Sequence, residues 1–84
     1  MNKNEEMQLN RLIKIYDNQM LTKEDIADYL NISLGGVSNL MDKGELLYLK
    51  LSQDKKSSVR IYIDDFARYL AKLDSNNNIV RDKL

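Results

Sequence analysis

From Met7 onward, apolar residues recur at Leu9, Leu12, Ile13, Tyr16 and Met20, the spacing of one face of a helix. The pattern predicts a helix from about Asn4 to Asn18, with the polar residues Met1–Glu6 frayed at its start. Packed across the elements that follow, this helix is a core member. The apolar surface of Met7, Ile15 and Met20 also allows a second reading, a helix that meets a partner protein.

The stretch Leu21–Lys43 organises the chain. Thr22 is a natural N-cap, followed by a charged first turn (Lys23, Glu24, Asp25) and by Ile26, Ala27 and Leu30 at helical spacing. Asn31 and Ile32 break the pattern. Ser33 offers a second N-cap, Val37, Leu40 and Met41 restart the apolar stripe, and Gly44 stands where a C-cap glycine is expected. Helices over about 23–30 and 34–42 with so tight a break form an αα corner, the centre of a helix-turn-helix. The plainer alternative is an αα-hairpin in a small helical domain.

After Gly44 the period changes. Leu46, Leu47, Tyr48, Leu49 and Leu51 form a near-continuous apolar run, 52–58 is turn-like, and Val59, Ile61 and Ile63 alternate with Arg60 and Tyr62. Two strands joined by a polar loop make a β-hairpin with the long exposed loop of a wing. Asp64 or Asp65 is then expected to cap a last helix carrying Phe66, Leu70 and Leu73, with Tyr69 beside them. From Asp74 the asparagine-rich sequence reads as a flexible tail (74–84), with Ile79, Val80 and Leu84 untethered rather than docked.

The expected fold is therefore mainly α with a small β-hairpin. Its order, helix, helix-turn-helix, two-stranded wing, helix, is that of a winged helix-turn-helix over residues 1–73. The expected core is Leu12, Tyr16, Ile26, Leu30, Val37, Leu40, Leu49, Ile61, Ile63, Phe66 and Leu70.

Composition narrows the chemistry. At 84 residues the core is modest. With neither cysteine nor histidine, the commonest general base, the commonest metal ligand and any disulfide are all missing. No stretch approaches the roughly 20 apolar residues of a membrane span, and the N-terminus does not read as a signal peptide. A cytoplasmic protein is expected, and the wealth of lysine, asparagine and isoleucine fits a low-GC bacterial genome. The serines lack a histidine to activate them, and the pairs Glu24–Asp25 and Asp64–Asp65 sit where they favour helix dipoles. The reading is a non-enzyme with no cofactor and no metal.

Thirteen basic residues balance thirteen acidic ones, so the distribution of charge matters more than its sum. Thr22–Leu30 holds one basic residue against three acidic, whereas Glu45–Ile63 holds four basic (Lys50, Lys55, Lys56, Arg60) against two acidic. The positive field belongs to the wing.

Over Leu21–Leu73 the runs LTKEDIADYLNIS, LGGVSNLMDKGEL, LYLKL and VRIYIDDFARYLAKL resemble the excisionase-type DNA-binding domains of mobile elements, relatives of the mercury-resistance-regulator winged helices. Thr22, Ser33, Val37, Leu40, Gly44-Glu45-Leu46, Asp64–Asp65 and Tyr69–Leu70 match the family's structural positions. The resemblance implies a winged helix whose third helix enters the major groove while the wing lies on the flanking backbone. Without the long coiled-coil helix of the mercury-resistance-type regulators, dimerisation by that route is excluded, and binding as a monomer, with or without cooperativity, is implied.

The departures fall where DNA would be touched. The family places arginine or lysine just after the serine cap, and this chain has Leu34, Gly35 and Gly36. Leucine cannot make the bidentate guanine contact, and glycine has no side chain to reach a base edge. The glycines do expose backbone N–H groups to a phosphate at a helix N-terminus, or permit close approach of another protein. Ser33, Ser38, Asn39 and Lys43 complete the helix-three candidates, Asn39 being the one able to read adenine. Lys50, Lys55, Lys56 and Arg60 are candidate phosphate contacts, against the alternative of a solvated lysine-rich loop. Tyr48 and Tyr62 are candidate stacking faces, which suit single strands.

Two functions follow as expectations. The first is an excisionase-like architectural or regulatory factor that binds DNA, duplex or single-stranded. The second is a winged-helix adaptor that docks on a larger replication or recombination enzyme through Leu34, Met7, Ile15 and Met20 and adds non-specific DNA contact.

Overall fold

In the computed structural model the described residues are 1–51 and 59–76. They form helices α1 (Lys3–Ile15), α2 (Lys23–Leu30), α3 (Leu34–Asp42) and α4 (Ile63–Asn76), with strands β1 (Met20–Leu21), β2 (Leu49–Lys50) and β3 (Val59–Tyr62). The molecule is mainly helical with a small antiparallel sheet in the order β1-β3-β2.

The sheet departs from the expected two-stranded hairpin. Met20, expected on the first helical face, instead lies in β1 and pairs with Tyr62, while Leu21 pairs with Ile61. α1 ends earlier than expected because Tyr16 takes an extended conformation (φ −116°, ψ 128°), which closes the helix before Asp17. Nor does its start fray. Asn2 and Glu5 form a reciprocal capping box, Glu5 N–H donating to Asn2 Oδ1 at 2.8 Å and Asn2 N–H to Glu5 Oε1 at 3.0 Å. Ile13, read into the core-facing stripe, is exposed, and Gln8 is buried in its place.

α2 has the same device, with Asp25 N–H to Thr22 Oγ1 and Thr22 N–H to Asp25 Oδ2 both at 3.0 Å. It stops at Asn31, whose left-handed backbone (φ 58°, ψ 47°) turns the chain through a pair of closing bonds. Ile32 N–H reaches Ala27 O at 3.0 Å, and Asn31 N–H reaches Asp28 O at 3.3 Å. Asparagine tolerates this region because its short polar side chain makes local hydrogen bonds. After Ser33 the chain enters α3, which packs on α2. At the far end Gly44 (φ 75°) serves the same purpose, with Glu45 N–H to Leu40 O at 3.0 Å.

β3 runs into α4 without a cap from Asp64 or Asp65. Both carboxylates lie inside the first turn and pair with Arg68 at 3.6 and 3.1 Å. The helix continues past Leu73 to Asn76, so Asp74 belongs to α4, and the rest of the tail (77–84) lies outside the described residues. α4 packs chiefly on α1, with Asn4 Nδ2 donating to Ala71 O at 3.4 Å.

The fully buried side chains are Leu12, Leu21, Ile26, Val37, Leu46, Ile61 and Phe66. Tyr16, Leu30 and Leu40 pack against this core while partly exposed. An aromatic chain crosses the interior: Tyr16–Tyr29 (6.5 Å between centroids), Tyr29–Phe66 (5.4 Å, edge-on) and Phe66–Tyr69 (6.2 Å, stacked). Leu49 is the expected core residue that fails, being 37% exposed. It pairs with Arg60, so it shares the sheet face opposite to that of Ile61. Leu46 takes the buried position instead. No helix among the described residues is long and apolar enough to cross a membrane.

Candidate nucleic-acid interface

α3 starts because Ser33, in extended conformation, turns its hydroxyl to the first turn. Gly36 N–H donates to Ser33 Oγ at 3.1 Å and Val37 N–H to Ser33 O at 3.2 Å. Val37 is buried, Leu40 and Met41 are partly buried, and Leu34, Gly35, Asn39, Asp42 and Lys43 are exposed. Gly35, Asn39, Asp42 and Lys43 recur at helical spacing, so they share one outer face. The sequence candidates Gly35, Asn39 and Lys43 are thus brought together, and Asp42 adds a carboxylate beside them. Lys43 also sits where a cation complements the C-terminal end of the helix dipole.

The two glycines differ. A Cβ at Gly35 would meet only Ser33 Oγ, at 3.7 Å, whereas one at Gly36 would meet Ile32 Cδ1 at 3.2 Å. Gly36 therefore makes room for the side chain of the preceding turn, and its N–H is already held by Ser33. The open backbone of this end is that of Gly35.

Ser38 is half-buried rather than free for a groove. Lys23 Nζ donates to its hydroxyl at 2.7 Å, tying the first residue of α2 to the middle of α3. Lys23 is not among the residues that the sequence pattern singles out. The available signal was a lysine at the first position of a helix, where the dipole disfavours a cation. Among the described residues Lys23 forms no ion pair; those present join Arg68 to Asp64 and Asp65. Its charge thus lies beside α3, with no ion-pair partner among the described residues.

The hairpin candidates separate. Lys50 pairs with Val59 and Leu49 with Arg60, so strand alternation sends Lys50 and Arg60 to opposite faces. Lys50 is exposed, and Arg60 is half-buried with Nη1 donating to Val59 O at 2.9 Å. Lys55 and Lys56 lie outside the described residues. Tyr48 and Tyr62 are exposed but belong to different elements, Tyr48 just before β2 and Tyr62 beside Met20 of β1. Tyr62 also lines an open cleft of about 610 Å³ with Ile13, Tyr16 and Gln19 of the α1–β1 region. No ring contact joins the two tyrosines among the described residues.

Of the candidate partner contacts, Leu34, Met7 and Ile15 are exposed and Met20 is half-buried. Among the described residues no group of three or more acidic, histidine or cysteine side chains converges as a metal site. Burial raises the phenol of Tyr16 above its ordinary value of 10.0, with the Asp25 and Asp28 carboxylates and Tyr29 adding to it. Burial, then Glu45, does the same to Tyr69. Both phenols belong to the aromatic chain of the interior and stay protonated at neutral pH.

Compared with protein-family models, curated proteins and solved structures, the chain matches none.

Proposed function

We propose that this chain is a small winged helix-turn-helix nucleic-acid-binding protein, an excisionase-like architectural or regulatory factor of a bacterial mobile element, working in the cytoplasm without catalysis. The observation that carries the reading is the outer face of α3, where Gly35, Asn39 and Lys43 lie exposed on a helix anchored from behind by Val37. The sharp α2–α3 corner and the antiparallel β2–β3 pair that follows support the same reading.

In this mode α3 enters the major groove. Asn39 offers a bidentate base contact, and it suits adenine. Lys23, beside Ser38, and Lys43, at the far end, would flank it with two cations for phosphates. Lys50 and Arg60 start from opposite faces of the β2–β3 pair, so among the described residues they do not form one basic face. Affinity then comes mainly from the phosphates, and discrimination between sequences is small.

The test is a selection of binding sites from random duplex, followed by Asn39→Ala and Lys43→Ala. Asn39→Ala should weaken a selected adenine-containing site by about 5- to 150-fold, the equivalent of about 1–3 kcal/mol, and leave random duplex unchanged. Lys43→Ala should weaken both alike. Selection that recovers no site, with Asn39→Ala silent, would sink the specific part of the reading.

A second reading, an adaptor for a larger replication or recombination protein, is favoured by Leu34, which is 46% exposed at the tip of α3. Its test is Leu34→Asp, which should abolish a stoichiometric protein complex and spare the fold. Loss of DNA affinity alone would argue against it.

A further inference from the structure

Ile13 and Tyr62 are large side chains that the core leaves out, 52% and 42% exposed. They do not stand apart. Both line one open cleft of about 610 Å³, together with Leu9 and the buried Ile63, and Asp17 and Asp64 supply its charge. Clefts that hold small ligands measure roughly 300–1,000 Å³, so this one has room for more than a single side chain. The course of the chain creates it. α1 stops at Ile15, a short link leads to β1, and β3 passes from Tyr62 straight into α4, with Ile63 N–H donating to Gln19 O at 2.8 Å.

The cleft is acidic. Among the described residues that line it there is no lysine or arginine. Asp17 is exposed, and its carboxylate has no hydrogen-bond or ion-pair partner among the described residues. Asp64 shares Arg68 with Asp65, at 3.6 Å against 3.1 Å, so one guanidinium serves two carboxylates and a negative charge is left over. The C-terminal end of α1 adds the negative pole of its helix dipole, which Lys14 in its last turn offsets in part. Nucleic acid does not suit this place, because its phosphates would meet the carboxylates. Nor, among the described residues, do acidic side chains converge on a metal site.

We infer that this cleft takes an arginine of a partner protein, presented next to an aliphatic residue. The guanidinium lies over the ring of Tyr62 and pairs with Asp17 and Asp64, while its methylene stem runs along Ile13. The aliphatic neighbour fills the space beside Leu9, and that extra room is what calls for a segment rather than a free amino acid. Arginine fits better than lysine, since its planar group both stacks on a ring and forks to carboxylates. The lining residues belong to α1, the link after it, β3 and α4, and none to α3. The cleft can therefore be filled while α3 is engaged, and the inference does not rest on the proposed DNA binding.

The experiment is a two-dimensional amide NMR titration of the isotope-labelled full chain with acetyl-Leu-Arg-Leu-amide and its lysine and glutamine counterparts. The peptides are taken up to about 10 mM, above the roughly millimolar affinity of so small a probe. The arginine peptide should shift the amides of Asp17, Gln19, Tyr62 and Asp64, the lysine peptide should bind more weakly, and the glutamine peptide should bind about fivefold more weakly or worse. Asp17→Asn with Asp64→Asn should weaken the arginine peptide about five- to tenfold, and Tyr62→Leu about two- to fivefold. Glu6→Gln with Asp28→Asn, the same charge change away from the cleft, should leave it unaltered. Circular dichroism checks folding, and Asp17→Asn alone, outside every helix and strand, carries the test if the pair impairs it. Amides unmoved by the arginine peptide would overturn the inference, as would equal binding of the glutamine peptide or equal loss in the control pair. Shifts of the amides of residues 77–84 in the Asp17→Asn, Asp64→Asn variant without peptide would also overturn it, since the chain itself would then be the occupant.

Discussion

Gly35 and Gly36 sit in the same turn of α3, yet alanine should affect them differently. In a helix, glycine is about 1 kcal/mol less favourable than alanine, somewhat less so near an end. At Gly35 the new methyl has one neighbour, Ser33 Oγ at 3.7 Å, an ordinary contact. Gly35→Ala should therefore stabilise the protein by about 0.5–1 kcal/mol, a rise in Tm of about 2–8 °C for a domain of this size. At Gly36 the methyl meets Ile32 Cδ1 at 3.2 Å, with Ile32 Cβ and Cγ1 at 3.6 Å. Ile32 is itself exposed and can swing aside, but doing so moves it off Gly36. The propensity gain is offset, and Gly36→Ala should fall within about 0.5 kcal/mol of the wild type. Thermal and urea unfolding followed by far-ultraviolet circular dichroism measure both, with unchanged m-values as the condition for comparison. A Gly35→Ala protein less stable than wild type, or a larger gain at Gly36, would refute this account of the turn. The same variants report on function. If DNA approaches the bare backbone of Gly35, Gly35→Ala will bind more weakly while melting higher, a combination that lost folding cannot produce.

Phe66→Ala removes a fully buried ring that touches both Tyr29 and Tyr69, and should cost about 3–5 kcal/mol, much of the stability of so small a domain; loss of the near-ultraviolet circular dichroism of the tyrosines measures it. The phenols of Tyr16 and Tyr69 are raised above 10.0 in the folded chain, so they hold their protons more tightly folded than unfolded. The stability they add is complete below pH 10.0 and is lost as pH rises through their folded values. Tyrosinate absorbance titrations of the Tyr16→Phe and Tyr69→Phe variants should each lack a late-ionising phenol.

The helix pair was legible in the sequence because its punctuation is local. Thr22 with Asp25, Asn31, Ser33 and Gly44 each act within a few residues, through caps and left-handed turns whose chemistry the sequence displays. What depends on pairing was not legible. β1 is strand only because Met20 and Leu21 meet β3, and its apolar residues happen to continue the helical spacing of α1. In the run Leu46–Leu51 nearly every position is apolar, so nothing in the sequence says which leucines face inward. The register with Arg60 decides it, and a shift of one residue would reverse every side chain. The candidate interface divides in the same way. The outer face of α3 follows from helical period, whereas the Lys23–Ser38 bond and the opposed directions of Lys50 and Arg60 arise from tertiary packing and strand register.

In the proposed function this neutral chain binds nucleic acid through a few placed cations. The most direct test is the affinity for labelled random duplex, followed by fluorescence anisotropy across a salt series. Contacts from Lys23, Lys43 and part of the wing predict measurable binding at low salt, with log Kobs falling against log salt at a slope of about −3 to −4. Lys43→Ala should make that slope shallower by about 0.9. Absence of binding at the lowest salt, or a slope unmoved by Lys43→Ala, would contradict the account.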